Sequence, residues 1–211
     1  MQPEILLNER NGAPYHVAIS EQNLRPKEGR WEAAITLNRN WGYHAGDNRW
    51  KEAAEVIRAL LEVRSEGGNL LLNAGPRADG TIPDPCRRVL AKVGQWMESQ
   101  GSSLRGSLQR SLFSWNNSVL LVARPPEDTT VLVFVLEELH PDFRLCEFRN
   151  QVSRVFCPAE DREIIWRQDD DGALHFDNAP TPQDGLPICL EVSFAGPLEP
   201  FTPRGQHWIV P

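Results

Sequence analysis

WEAAITLNRNWGYHAGDNRWKEAAEVIRALLEVRSEGGNLLLNAGP, residues 31–76, decides how this chain is read. It divides into an extended segment, a polar loop, an amphipathic helix and a short apolar strand with a Gly-Pro exit. Over 49–65, Trp50, Ala53, Ala54, Ile57, Leu60, Leu61 and Arg64 recur at the spacing of one helix face. Asp47 or Asn48 is placed to cap its start. Gly67-Gly68 is placed to stop it, because glycine takes the left-handed conformation cheaply. Leu70-Leu71-Leu72, between Asn69 and Asn73, has no polar alternation, which predicts a strand buried on both faces of a parallel sheet. Helix, glycine stop and strand make one half of a βαβ unit.

The same stretch carries the chemistry. It begins with Trp31-Glu32 and reaches Trp41-Gly42-Tyr43 before the helix. Aromatic faces stack on the apolar side of a pyranose, and a carboxyl kept partly from water can hold its proton at neutral pH. A carboxylate among large aromatics, next to a loop, is therefore the composition of a sugar site. Trp41 and Tyr43 either line such a pocket or fill space under the loop. Asn73 stands at a strand exit, as a contact at the site rim or as the turn residue before Gly75-Pro76. His44 and His16 read as solvated loop histidines, and Trp50 as core.

Outward from this stretch, residues 77–83 form a turn on Asp79-Gly80. Asp84 then caps a second helix over 84–100 with Pro85 at its first position, Val89, Leu90, Val93, Trp96 and Met97 on its apolar face and Gly101 as its stop. Upstream, residues 4–8 are a short apolar run that predicts a buried strand, followed by a turn. Residues 13–30 hold Pro14, Pro26 and Gly29 without a helical period, which predicts a long loop. Residues 102–111 read as a linker.

From residue 112 the composition changes. The runs at 118–123, 130–136, 143–148, 163–168, 173–176 and 187–194 are rich in β-branched and aromatic residues. Turns with Pro, Asp and Gly separate them, at Pro125-Pro126-Glu127-Asp128, Asp169 to Gly172 and Thr181 to Gly185. Short strands at this spacing predict an antiparallel sandwich. Asp169-Asp170-Asp171-Gly172 lacks the spaced ligands and distal Glu of a calcium loop and reads as a hairpin turn. Residues 197–211 read as an irregular tail.

The whole chain has 211 residues, 40% hydrophobic and 24% charged, with a net charge of −7. That acidic balance argues against nucleic acid or an anionic membrane as partner and is compatible with a neutral glycan. No stretch approaches the ~20 apolar residues of a membrane span. Met-Gln-Pro-Glu at the start lacks the basic-then-apolar pattern of a secretory leader, and no compartment is assigned. Cys86, Cys146, Cys157 and Cys189 are widely spaced, so neither a zinc site nor a disulfide scaffold is indicated, and no cofactor or metal is expected.

Residues 31–83 resemble the α-L-fucosidase family, glycoside hydrolase family 29. The family carries a Trp-Glu pair, a Thr-Leu-Asn run and Trp-Gly-Tyr, matched by Trp31-Glu32, Thr36-Leu37-Asn38 and Trp41-Gly42-Tyr43. Its Gly-Gly-Asn-Leu-Leu-Leu-Asn-x-Gly-Pro strand is matched by Gly67 to Pro76, and its Ala-Asp-Gly-x-Ile-Pro turn by Ala78 to Pro83. Ala34 and Asn40 depart from the family's usual Cys and Ser or Thr. The resemblance implies an α/β plus all-β chain: residues 1–105 as the C-terminal half of a (β/α)8-like barrel, and 112–196 as the antiparallel β-sandwich behind it. It implies a retaining exo-hydrolase that releases L-fucose from fucosylated oligosaccharides or glycoconjugates, with Glu32 as the acid/base. Trp31, Trp41, Tyr43 and Asn73 are the expected substrate-binding residues.

The family's nucleophilic Asp, on a Trp-x-Asp-Gly-type strand end, and its His-His pair have no match in these residues. A closed barrel takes about 250 residues, so the resemblance implies a missing N-terminal barrel half as partner and a chain that is inactive alone. A non-catalytic carbohydrate-binding or scaffold fragment is the alternative. One conflict arises within the reading. Catalytic groups in such barrels sit at the C-terminal ends of strands, yet Glu32 stands at the start of the extended segment 31–37. Either the strand begins near Ala34, or Glu32 belongs to the incoming loop as it crosses the top of the barrel; the loop is the preferred reading.

Overall fold

Leu70-Leu71-Leu72 does form a strand, and that strand completes a three-stranded parallel sheet. The computed structural model describes residues 5–12, 14–106, 108–110, 118–123, 129–146 and 148–198. Within it the chain divides into two units, Met1–Gln109 and Arg110–Pro211.

In the first unit, β1 (Ala18–Glu21), β2 (Trp31–Thr36) and β3 (Asn69–Asn73) pair in that order, both pairings parallel. Ala18 pairs with Trp31 and Glu21 with Ala34, while Glu32 pairs with Asn69 and Thr36 with Asn73. Side chains alternate along a strand, so this register sorts them into two faces. Trp31 and Ala33 share one face with Ala18, and there they pack with Val63 of the following helix, joined by Leu24 and Leu70. The other face carries Ile19, Glu21, Glu32, Ala34, Thr36, Asn69, Leu71 and Asn73. Leu71 on that face is 45% exposed. The expectation of a strand buried on both faces is thus corrected: β3 is an edge strand, covered by the helix on one side only.

Helix α1 (Ala53–Ser65) starts four residues after its sequence-predicted start at residue 49. Asp47 does not cap it, because its carboxylate is held by the loop before it. Glu52 does so through a capping box: its side chain accepts from the backbone of Glu55, and its own N–H donates to Glu55 Oε2 at 2.8 Å. Trp50, expected in the core, is half-buried in the loop instead. Helix α2 (Asp84–Gln100) has the predicted bounds, but the expected cap is corrected: Pro83 is the N-cap, and Asp84 is the first helical residue. It buries Cys86, Val89 and Trp96, whereas Leu90 and Met97 stay 38% exposed on the edge of its apolar stripe.

Two upstream expectations are corrected. Residues 5–7 form no strand, and only an isolated bridge links Asn8 to Val17. Ile5 and Leu6 are more than half exposed, since nothing among the described residues covers them. The predicted long loop at 13–30 contains β1. Its run Ala18-Ile19-Ser20 is only three residues of buried chain, too short for its alternation to outweigh the prolines and glycine around it.

In the second unit, β4 (Gln109–Arg110), β5 (Val119–Ala123), β6 (Thr130–Val135), β7 (Val152–Cys157), β8 (Arg162–Glu163) and β11 (Ile188–Phe194) form one sheet in the order β4-β5-β6-β11-β7-β8. Its central pairings are antiparallel. A ribbon of β9 (Trp166–Gln168) and β10 (Leu174–Phe176) is closed by the Asp169–Gly172 turn, where Gly172 adopts φ +91°. Valines and leucines of the sheet share one apolar cluster with Phe143, Leu145, Phe148 and Leu174. The run at 143–148 contributes bridges rather than a strand, among them Leu145 to Leu174. Strand β7 has no counterpart in the sequence reading, because Ser153 and Arg154 interrupt its apolar run. The turn at 125–128 and the tail beyond residue 198 lie outside the described residues.

Gly68 records how tightly the first unit packs. A Cβ there would lie 2.4 Å from the Trp31 indole, whereas one at Gly94, inside α2, would meet nothing within 4 Å. Gly68→Ala should therefore cost about 1–3 kcal/mol in urea unfolding. Gly94→Ala should be neutral or stabilising by up to about 1 kcal/mol. Equal effects of the two substitutions would contradict this packing.

Candidate functional site

All three parallel strands end at the same rim, and each hands over to a loop there: 22–30 after β1, 37–52 after β2 and 74–83 after β3. The loop after β2 is the longest. It is anchored at its base, where Leu37 N donates to Asn73 O at 3.0 Å and Lys51 N to Leu37 O at 2.8 Å. Lys51 Nζ also donates to Thr36 O at 2.7 Å.

Within this loop Asp47 is the organising residue. Its side chain accepts from Arg39 N at 3.0 Å, Arg49 N at 3.2 Å and Asn40 Nδ2 at 2.7 Å. Burial alone would raise its pKa. The two backbone N–H groups, the Asn40 amide and the Arg39 charge outweigh that, so the carboxyl lies below its ordinary value of 3.8.

Trp41 and Tyr43 sit at the loop's tip, 38% and 42% exposed. Asn73 Nδ2 donates to Trp41 O at 2.7 Å. Gly75 lies so close to this tip that a Cβ would fall 2.6 Å from Gly42 C and 2.7 Å from Tyr43 N. Arginines lie over both aromatic rings, Arg10 over Trp41 and Arg77 over Tyr43, each 5.9 Å from the ring centre. Arg10 also pairs with Glu21, the last residue of β1, at 2.8 Å. The rim thus gathers Glu21, Arg10, Trp41, Tyr43, Asn73 and Arg77.

This geometry divides the residues read from the sequence. Trp41, Tyr43 and Asn73 come together. Asn73 does so by holding the backbone of Trp41, which fixes the loop. Trp31 is corrected: it is 2% exposed, packed in the core, and its Nε1 donates to Glu66 O at 3.1 Å. A ring enclosed this way offers no face to a sugar. The preference for Glu32 in a loop is also corrected. Glu32 is the second residue of β2, half-buried, on a rung with Ile19 and Asn69 at the strands' starting end. It faces the same side of the sheet as Glu21 but lies on the rung below. The sequence reading did not place Glu21 at the rim, because β1 was missed. Once a strand is seen at 18–21, a carboxylate on its last residue is the signal.

Comparison with known proteins follows this geometry. A sequence model described as Alpha-L-fucosidase matches residues 5–102. Plasma alpha-L-fucosidase from Homo sapiens is 36% identical over 78 residues, which are 36% of this chain and 17% of that protein. Alpha-L-fucosidase isoenzyme 1 from Paenibacillus thiaminolyticus superposes with a TM-score of 0.80 at 29% identity, over 92% of this chain and 51% of its own. A GH29 alpha-L-fucosidase from Bacteroides thetaiotaomicron, trapped as a covalent intermediate with 2-fluoro-fucosyl fluoride, superposes with a TM-score of 0.73 at 19% identity, over 92% and 50%. The chain therefore spans about half of these solved structures and less than a quarter of the human relative.

Two outcomes are expected from the loop. The stabilisation from Asp47 is complete above the ordinary carboxylate pKa and is lost as the pH falls through the lower folded value. Protection of the Arg39 and Arg49 amides, measured relative to unfolded-chain exchange at the same pH, should fall on acidification below about pH 4, and Asp47→Asn should remove that dependence. Separately, Gly75→Ala should displace the Trp41–Tyr43 tip, seen as a shift in tryptophan emission and faster exchange at residues 41–43. An unchanged tip would show that Gly75 does not set its position.

Proposed function

From the premise that residues 5–102 belong to the α-L-fucosidase family, we propose that this chain is the C-terminal half of an α-L-fucosidase, a retaining exo-hydrolase that releases L-fucose from fucosylated glycans. The observation that carries the proposal is the meeting of Trp41, Tyr43 and Asn73 at the C-terminal rim of a parallel sheet, where (β/α) barrels bind substrate. The first unit is then part of an eight-stranded barrel, and the second a β-sandwich. The uncovered face of β3, with Leu71, is where further barrel would pack.

Hydrolysis with retention needs two carboxyls. The nucleophile comes from the barrel half that these residues do not supply. It attacks the anomeric carbon as the acid/base gives its proton to the departing glycosidic oxygen. The same carboxylate then takes a proton from the water that releases fucose. The covalent intermediate trapped in the Bacteroides neighbour accords with this double displacement. Two glutamates compete for the acid/base role. Glu32 has the Trp-Glu pair of the resemblance in its favour. Glu21 has geometry in its favour, at the end of β1 beside Arg10 and the rim aromatics. We assign the role to Glu21.

The chain alone should not hydrolyse an aryl α-L-fucoside, since the first displacement has no nucleophile. Fused behind the complementary half of the Paenibacillus enzyme, it should do so. In that fusion Glu21→Gln should cost roughly 10²–10⁴-fold on a sugar leaving group. The loss should be smaller on a nitrophenol, with azide restoring turnover to a product of retained configuration. Glu32→Gln should leave rates within a few-fold. The reverse pattern would return the role to Glu32. Fucose binding without turnover in the fusion would favour a non-catalytic binding module.

A further inference from the structure

The loop that carries Trp41 and Tyr43 also encloses a hollow of about 410 Å³, lined by Arg39, Asn40, His44, Asp47, Asn48 and Arg49 among others. Its size suits one sugar ring. Its charge is unusual for this chain. The chain carries a net −7, yet the hollow is lined by two arginines and a histidine against one carboxylate. That carboxylate is already engaged. Asp47 faces the N–H groups of Arg39 and Arg49 and the Asn40 amide, all contributed by its own loop. The nearest acids along the chain, Glu52 and Glu55, are committed to each other's backbone in the capping box of α1.

The guanidiniums, in contrast, are uncommitted. Among the described residues neither Arg39 nor Arg49 forms a side-chain hydrogen bond or an ion pair; Arg39 senses only the field of Asp47. Arg10, Arg144, Arg154 and Arg162 pair with carboxylates, whereas Arg25, Arg30 and Arg105, like these two, show no side-chain partner among the described residues; what sets Arg39 and Arg49 apart is that both line one hollow. Two that line the same hollow as Asp47 present donor forks that match the oxygens of a sulfate ester or a carboxylate. The Asn40 and Asn48 amides beside them suit sugar hydroxyls. The hollow begins two residues before Trp41, on the same loop.

The geometry points to a subsite for an anionic sugar, one bearing a sulfate ester or a carboxylate, next to the fucose position. This rests on the fucosidase reading and deepens it: the preferred substrate is a fucosylated glycan whose neighbouring residue is acidic. Fucose is held at the rim aromatics, and the acidic neighbour by Arg39 and Arg49.

The test uses the intact 211-residue chain and nuclear magnetic resonance. Galactose 6-sulfate, methyl β-glucuronide, neutral methyl β-galactoside, inorganic sulfate and L-fucose are titrated separately at low salt. Galactose 6-sulfate, methyl β-glucuronide or both should shift the Arg39 and Arg49 side-chain Nε–H signals and His44, at least tenfold more tightly than the neutral sugar. Added sodium chloride should weaken that binding. Arg39→Gln with Arg49→Gln should abolish it, while Arg39→Lys with Arg49→Lys should retain part of it. Which of the two sugars binds more tightly separates sulfate from carboxylate. Inorganic sulfate binding as tightly as both acidic sugars would mean an adventitious ion only and would overturn the proposal. So would equal binding of charged and neutral sugars, or wild-type binding indifferent to salt. L-Fucose reports separately on the fucosidase reading through Trp41 and Tyr43. Fucose shifts without acidic-sugar shifts would sink the subsite alone; acidic-sugar shifts without fucose shifts would keep an anionic-sugar site and sink its link to fucose.

Discussion

The rim of the parallel sheet depends on one close approach. Gly75, just past β3, lies against the Gly42–Tyr43 peptide at a distance no side chain could share. Asn73 reaches from the same strand end to hold Trp41 O. Together they tie the exit of β3 to the tip of the loop after β2. A loop of this length would otherwise lose much of its order to conformational entropy. Here the entropy is opposed at three places: by Gly75 and Asn73 at the tip, by Asp47 in the middle, and by Lys51 at the base. Trp41, Tyr43 and the two arginines of the hollow all owe their positions to these ties.

Strand register then sets how far each carboxylate stands from that rim. A parallel pairing that sets Glu21 beside Ala34 and Glu32 beside Asn69 leaves both acids on one face but at different heights. The lower one sits among strand beginnings and the upper one beside loops. The Trp31-Glu32 pair accordingly splits in role. Trp31 turns to the helix side and fills the space opened by Gly68, while Glu32 turns to the opposite face. Adjacent residues on a strand cannot share a site face, so a Trp-Glu dipeptide inside a strand cannot act as a stacked ring with its own acid.

Much of this was legible in the sequence, for physical reasons that differ by element. The span of helix α2 was readable, because Pro85 and Gly101 bracket it, though not its cap, which is Pro83, nor the exposure of Leu90 and Met97. Strand β3 was readable from three consecutive leucines, though not its exposure, since an edge strand and a central one can share a sequence. The start of α1 was misplaced because Asp47 is a good cap in isolation, and only the folded loop reveals that it serves Arg39 and Arg49 instead. Strand β1 was hidden because its partner, β2, lies ten residues downstream across a proline-bearing loop. With β1 went Glu21, so the sequence offered Glu32 alone as the candidate acid. The apolar runs of the second unit were mostly strands. The run at 163–168 divides between β8 in the sheet and β9 in the ribbon, and Leu145 of the run at 143–148 makes only an isolated bridge, to Leu174.

The central claim is that the working end of this chain is the C-terminal rim, with Glu21 as its acid. Its most direct test is affinity labelling with N-bromoacetyl-α-L-fucosylamine, whose reactive carbon takes the place of the α-linked leaving group and so reaches the acid/base carboxyl. The chain fused behind the complementary half of the Paenibacillus enzyme is treated with the label and mapped by peptide mass spectrometry. The account predicts an ester on Glu21, prevented by excess L-fucose. Fucose-protected labelling of Glu32 instead would contradict it.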